Sequence, residues 1–269
     1  MVDSLPLFPL PSVLFPGVVL PLHVFEERYR VLVQRLLDMP EGLPRRFGVV
    51  AIRQGLLSGQ GGGPFAGAAE TPAEQADEPA PESTEEPTGS EPDDAVLSQG
   101  RADRAVGALH PIGCTAELRQ VDNREDGTYE IVTVGVERFA LRAVDATTEP
   151  YLVGEVEMLP VQNESGPEVD LLAQRAGALF EEYISAVASI GGAEVAAIEL
   201  PDEPDVLSYL VASTALLTLD DKQSLLEQDG TRDRLRAEIR LLRRETVLVQ
   251  ELRVVPAPAS EFGNTPGRN

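Results

Sequence analysis

The hydrophobic period of this chain changes once, near Asn163, and that change sets what it can fold into. Before it, short apolar runs bounded by turn residues read as strands: Arg46–Arg53, Ala105–Gln120, Tyr129–Val136, Arg138–Val144 and Tyr151–Leu159. Asn123–Gly127 (NREDG) supplies a hairpin connection, and Thr147–Pro150 marks a second break. One helix interrupts this β region, Glu26–Leu37, where Tyr29, Leu32, Val33 and Leu36 recur at i, i+3, i+4 and i+7. Beyond Asn163 the period is 3.6. Glu168–Ile190 carries Val169, Leu172, Ala176, Phe180, Tyr183 and Val187 on one stripe, ended by Gly191 and Gly192. A second helix opens at Asp202, with Pro204 in its first turn, and runs to Leu217; a short third covers Asp220–Glu227. The last, Thr231–Val254, aligns Leu235, Ile239, Leu242, Val249 and Leu252. The pattern predicts an α+β chain, with a β domain over 1–162 and a helical bundle over 163–255.

One stretch fits neither period. Gln54–Gly100 holds ten acidic residues, no basic ones, eight Gly and six Pro. It cannot bury enough apolar surface to offset the entropy of ordering it, so 54–100 is expected to be a disordered acidic insert within the β domain. Loop-closure entropy grows only with the logarithm of length, so such an insert costs about 1 to 2 kcal/mol over a short turn. The Pro- and Gly-rich tail, 256–269, is expected to be disordered too. Without the ten carboxylates of the insert the net charge of −23 still stands at −13.

That charge disfavours nucleic acid, whose phosphates need a surplus of Lys and Arg. A single Cys closes no internal disulfide and builds no thiolate zinc site. The first residues, MVDSLPLFPLPSVLFPG, lack a basic region and are broken by Pro6, Pro9, Pro11 and Pro16, which excludes a signal-peptide helix. No run of 18 apolar residues occurs, so no membrane span is expected and the reading is a cytoplasmic protein.

The most specific stretch is Leu5–Val33, LPLFPLPSVLFPGVVLPLHVFEERYRVLV. Pro6, Pro9 and Pro11 impose an extended, edge-type path, Pro16 and Gly17 make a turn, Val18–Leu20 resumes a strand that Pro21 ends, and Phe25 with Tyr29 anchors the helix. The order LPLFPL, VLFPG, LPLHVFEERYR, then FGVVAI (Phe47–Ile52), then AVGALHPIG (Ala105–Gly113), resembles the N-terminal substrate-binding (LON) domain of Lon ATP-dependent proteases, which also occurs as stand-alone proteins and within cereblon. Asp205–Glu245 is similar to that family's helical part. The insert and the tail depart from the pattern. The resemblance implies a PUA-like pseudo-β-barrel with one helix followed by a helical bundle, together recognising unfolded or tagged polypeptides.

The engines of a Lon protease are missing from these residues. A P-loop needs GxxxxGK followed by Ser or Thr. The only Lys, Lys222, follows Asp221, and Gly59 with Gly61, Gly62 and Gly63 opens no helix, so these glycines read as linker. A Ser and Lys dyad requires a desolvated base beside its nucleophile. Lys222 reads as exposed in an acidic turn, and Ser224 points to another helix face. His110 and Cys114 lie four residues apart, about 13 Å along a strand, too far for a catalytic hydrogen bond. They read as a surface His and a small buried Cys, and His23 as a packed or capping residue. No catalytic, cofactor-binding or metal-binding residue is assigned, and no cofactor is expected.

The last helix is basic, with seven Arg against four acids over Thr231–Arg253. Arg232, Arg236, Arg240 and Arg243 form a stripe, while Arg234 and Glu238 are the obvious i, i+4 pair. The stripe reads as pairing with the acidic Glu168–Tyr183 helix or as solvated; the sharper alternative is a dock for an acidic partner or for the insert itself. The expected function is non-catalytic polypeptide binding, with grooves whose residues the sequence does not name and with delivery to an ATP-dependent protease as one destination. The other readings are a small-molecule or nucleic-acid binding PUA-like barrel and, third, a peptidase in its own right.

Overall fold

The computed structural model describes residues 2–40, 42–53, 106–160, 164–190 and 199–252. Six strands come first: β1 (Val2–Leu10), β2 (Val19–Val24), β3 (Arg46–Ala51), β4 (Ile112–Asn123), β5 (Tyr129–Asp145) and β6 (Val153–Met158). Helix α1 (Glu27–Leu37) lies between β2 and β3. Four helices follow: α2 (Pro167–Ile190), α3 (Pro204–Thr214), α4 (Leu219–Leu226) and α5 (Thr231–Leu252). The class is α+β. The expected disorder of 54–100 and of 256–269 falls outside the described residues.

The sheet order is β2-β5-β4-β3-β1-β6, and β6 also pairs with β5. That last pairing closes β5, β4, β3, β1 and β6 into a ring, leaving β2 outside on the first half of β5. The 17-residue β5 makes this possible because it pairs β2 through Tyr129–Val134 and β6 through Phe139–Asp145. The two strands expected on either side of Glu137 are therefore one. Nothing there supplies a chain reversal, and a register shift between Leu141 and Ala143 absorbs part of the bend. β4 begins seven residues later than expected, since Val106–Ala108 is a helical turn and Leu109 bridges Ile52 alone.

β1 is paired along one side at a time, so the edge-type path that its prolines suggest holds locally although the strand joins two neighbours. It pairs in parallel with β3 through Leu7–Leu10 and antiparallel with β6 through Val2–Pro6. Pro6 precedes the β3 register, and Pro9 faces away from β3, so neither deletes a bond there. Gly17 does make the expected turn, with φ +77°.

The ring is filled by Leu5, Leu7, Val50, Ile52, Phe139 and Val156, all buried. Helix α1 closes one side with Tyr29, Leu32, Val33 and Leu36, packed on Phe8, Phe47 and Ile131; the Phe8 and Tyr29 rings stack at 4.0 Å. Each such fully buried side chain contributes about 1.5 to 3 kcal/mol of transfer free energy. In the helical half, Val169, Phe180 and Tyr183 of α2 pack on Leu207 and Val211 of α3 and on Leu235, Ile239 and Leu242 of α5.

The halves are joined by a buried seam. Phe15 is fully buried with Ala212, Leu225, Leu226 and Ala237. The guanidinium of Arg138, on β5, donates to the carbonyls of Leu226 at 2.8 Å, Gln228 at 2.5 Å and Asp229 at 3.1 Å. These lie at the end of α4, where carbonyls lack intrahelical partners and a cation is favoured. Gln223 Nε2 adds a bond to the Ile112 carbonyl at 3.0 Å.

Candidate functional site

The first motif splits between core and surface. Leu5, Leu7, Phe8, Leu14, Phe15 and Val24 are buried, whereas Val19 is 58% exposed and Phe25 47%. The split follows β2, whose residues alternate between exposed (Val19, Pro21, His23) and covered (Leu20, Leu22, Val24) because successive side chains of a strand take opposite faces. β2 touches the sheet only through β5, so its other edge stands open near the end of β1.

A slot of about 110 Å³ lies between those strands. Phe8, Pro9 and Leu10 of β1 form one wall and Leu22, His23 and Val24 of β2 the other. Phe25, Glu26 and Tyr29 complete it at the entry to α1. The lining is mostly apolar, with polar groups at the rim. His23 Nδ1 and Glu130 Oε1 are 2.9 Å apart, and the His23 ring lies alongside Phe25 at 5.8 Å. Glu26 is held by Arg28 at 2.6 Å. Burial pushes the Tyr29 hydroxyl up to about 12, so it titrates nowhere near neutrality. His23 is thus neither packed nor capping: it is an exposed rim residue. A slot of this kind can hold one apolar side chain and orient its neighbours.

The other singled-out residues lie elsewhere. Cys114 is fully buried on β4, its thiol pushed up to about 12 by burial and its Sγ directed at the Thr115 carbonyl. His110 is partly covered, and burial followed by the Arg53 charge lowers its pKa. Lys222 differs from expectation: it sits within α4, part-buried, and donates to the Ser213 carbonyl at 2.9 Å. Burial lowers its pKa, but Ser224 Oγ donates to the Asp221 carbonyl at 2.8 Å, so the two side chains serve different acceptors. Gly59 and Gly61–Gly63 are outside the described residues.

The arginine stripe divides in two. Arg232 reaches Glu164 and Glu168, both at 3.6 Å, and Arg236 reaches Glu168 at 2.5 Å and Asp233 at 3.3 Å. Arg240 and Arg243 are exposed with no carboxylate partner among the described residues. Arg234 and Glu238 do not pair directly. Ser208 stands between them, accepting from Arg234 Nε at 2.7 Å and donating to Glu238 Oε1 at 2.6 Å, while the guanidinium lies 3.8 Å over the Tyr209 ring. Burial raises the Glu238 carboxyl to about 8, against the opposing pull of Ser208 and Arg234. This network is interior and structural.

The sequence does not name the slot, because the Phe, Leu and Pro residues of the motif serve the core and the surface alike. The alternation of polar His23 and Pro21 with Leu20 and Leu22 is the signal that separates the two roles. An exposed Phe following an edge strand completes it.

A strand ring with an open apolar slot, backed by a helical bundle, is the frame of a binding domain. Residues 4–244 match the family model of the ATP-dependent protease La (LON) substrate-binding domain, and the chain belongs to that family. Lon protease 2 of Syntrophobacter fumaroxidans is 28% identical over 232 residues, covering 86% of this chain and 23% of that protein. Lon protease of Desulforamulus reducens is 28% identical over 145 residues, 54% of this chain and 18% of that protein. The chain therefore spans about a fifth of the length of these relatives. Among solved structures, a Lon N-terminal domain protein from Xanthomonas campestris covers 90% of this chain and 98% of its own, with TM-score 0.53 at 23% identity. The N-terminal domain of a Mycobacterium avium complex Lon protease covers the same shares with TM-score 0.52 at 15% identity. Both share the fold.

Proposed function

We propose that this protein is a non-catalytic polypeptide-recognition module of the cytoplasm, which holds unfolded or tagged chains and delivers them to an ATP-dependent protease. Residues 1–162 act as the recognition domain and 163–255 as its helical support. The observation that carries the reading is the slot between the β1 and β2 edges, apolar inside and flanked by the exposed Val19 and Phe25. Unfolded chains differ from folded ones in offering apolar side chains on extended backbone, and a slot for one side chain beside an open strand edge selects for both.

The test is fluorescence anisotropy of a labelled, permanently unfolded reporter and of its folded counterpart, with and without ATP. Selective binding of the unfolded form, independent of ATP, is the expected result. Phe25→Ser, which alters an exposed side chain, weakens it about tenfold, equivalent to about 1.4 kcal/mol of lost apolar contact. Equal binding of both forms, or full affinity in Phe25→Ser with the fold intact by circular dichroism, refutes the reading.

A further inference from the structure

The backbone around the slot is short of donors. Gly135 N–H donates to the Val18 carbonyl at 2.9 Å, and the register Val19 to Val134 then turns the peptide groups of Leu20, Leu22 and Val24 toward β5. Those of Val19, Pro21 and His23 face outward. On β1, Ile52 N–H donates to the Leu10 carbonyl at 2.9 Å while Leu7 N–H donates to the Leu152 carbonyl at 2.8 Å, so Phe8 and Leu10 face β3 and Pro9 faces away. β6 pairs with β1 only as far as Pro6. The free edges thus carry the carbonyls of Pro9, Val19, Pro21 and His23. Because two of these residues are proline, they carry the N–H groups of Val19 and His23 alone.

Such an edge cannot template a continuous ladder, which needs donors and acceptors in alternation, and an edge proline is a usual guard against pairing with another copy. It suits a ligand that brings donors. The side-chain charge has the same sense. Glu26 lines the slot, Glu130 stands against His23 at its rim and Glu27 follows in the first turn of α1, while the cations beside them are Arg28, 2.6 Å from Glu26, and Arg124, 3.8 Å from Glu130. A second copy would bring further negative charge, since the chain carries −23.

Resting on the polypeptide-recognition reading, we propose that the slot takes a short extended segment with an apolar anchor and a basic flank. The anchor side chain enters between β1 and β2, the backbone N–H groups beside it meet the outward carbonyls, and a Lys or Arg next to it meets the carboxylates at the rim. Affinity then depends on a few amides near the anchor and not on a full strand.

The experiment uses the full chain and a short fluorescein-labelled peptide with one Leu among Ala and Ser residues and one Arg adjacent to the Leu. Its variants are N-methylated at each amide in turn, or carry Leu→Ser or Arg→Glu. Methylation at the one or two amides beside the Leu is expected to weaken binding about tenfold, and methylation elsewhere to leave it unchanged. Arg→Glu weakens it and removes its salt dependence. If Leu→Ser abolishes binding while every methylated peptide and Arg→Glu bind normally, this mode is wrong and polypeptide recognition stands. If neither the parent peptide nor the unfolded reporter binds, both are refuted.

Discussion

Arg138 offers the sharpest test of how the two halves hold together. Its guanidinium, 5% exposed, donates to the carbonyls of Leu226, Gln228 and Asp229. Substitution by Met keeps the apolar stem and removes all three donors. Hydrogen bonds from charged groups contribute about 1.5 to 3 kcal/mol each, but they are not additive here, because some of the freed carbonyls reach water as the seam relaxes. A loss of about 3 to 5 kcal/mol is the resulting expectation, a large part of the 5 to 15 kcal/mol typical of a whole domain. In urea, followed by circular dichroism at a helix-sensitive wavelength, Arg138→Met should unfold at a lower midpoint. Limited proteolysis should cut first at the α4 to α5 connection, Glu227–Gly230. A midpoint within about 1 kcal/mol of the wild type, with an unchanged cleavage pattern, would show that Phe15 and its apolar neighbours hold the seam without Arg138.

Two further outcomes follow from buried groups. The folded state raises the Glu238 carboxyl from 4.5 to about 8, so it binds a proton that the unfolded chain releases; stability is complete below about 4.5 and declines as pH rises through about 8. That gap is worth up to about 5 kcal/mol, and Glu238→Gln, which can keep the Ser208 bond, should flatten the slope of unfolding free energy between pH 5 and 8; an unchanged slope places the titration elsewhere. At Gly135 an added Cβ would sit 2.1 Å from the Phe15 carbonyl oxygen and 3.3 Å from Cys114 Sγ, so Gly135→Ala must displace backbone, costing about 1 to 3 kcal/mol. A melting temperature equal to that of the wild type would contradict this.

Much of the fold was legible because periodicity reports burial directly. The stripe Val169, Phe180 and Tyr183 and the stripe Leu235, Ile239 and Leu242 face each other in the structure as they line up in the sequence. Ring closure was not legible, since it depends on β5 running through Glu137 without a turn and pairing with two strands in succession. That β1 joins two strands in succession was not legible for a related reason: proline bars a strand from pairing only where its nitrogen faces a partner, and which way Pro9 faces is settled by the β3 register. Lys222 looked exposed because its sequence neighbours are acidic, yet the end of α3 covers it. The slot was hidden in the same way, within a motif whose apolar residues serve both the core and the surface.

The slot and the seam are linked by one short connection. β1 and β2 form the two walls, and the chain between them, Pro11–Val18, carries Leu14 into the core beneath α1 and Phe15 into the seam with α3, α4 and α5. Gly17 N–H donates to the Gly135 carbonyl at 2.9 Å, and Gly135 lies so close to the Phe15 carbonyl that no side chain fits between them. The turn that joins the walls is therefore held from both halves, by Val13, Val18 and Ile112 on one side of Phe15 and by Ala212, Leu225, Leu226 and Ala237 on the other. A barrel cut away from its helices would retain the residues of the slot but leave Phe15, in the turn between its walls, without Ala212, Leu225, Leu226 and Ala237.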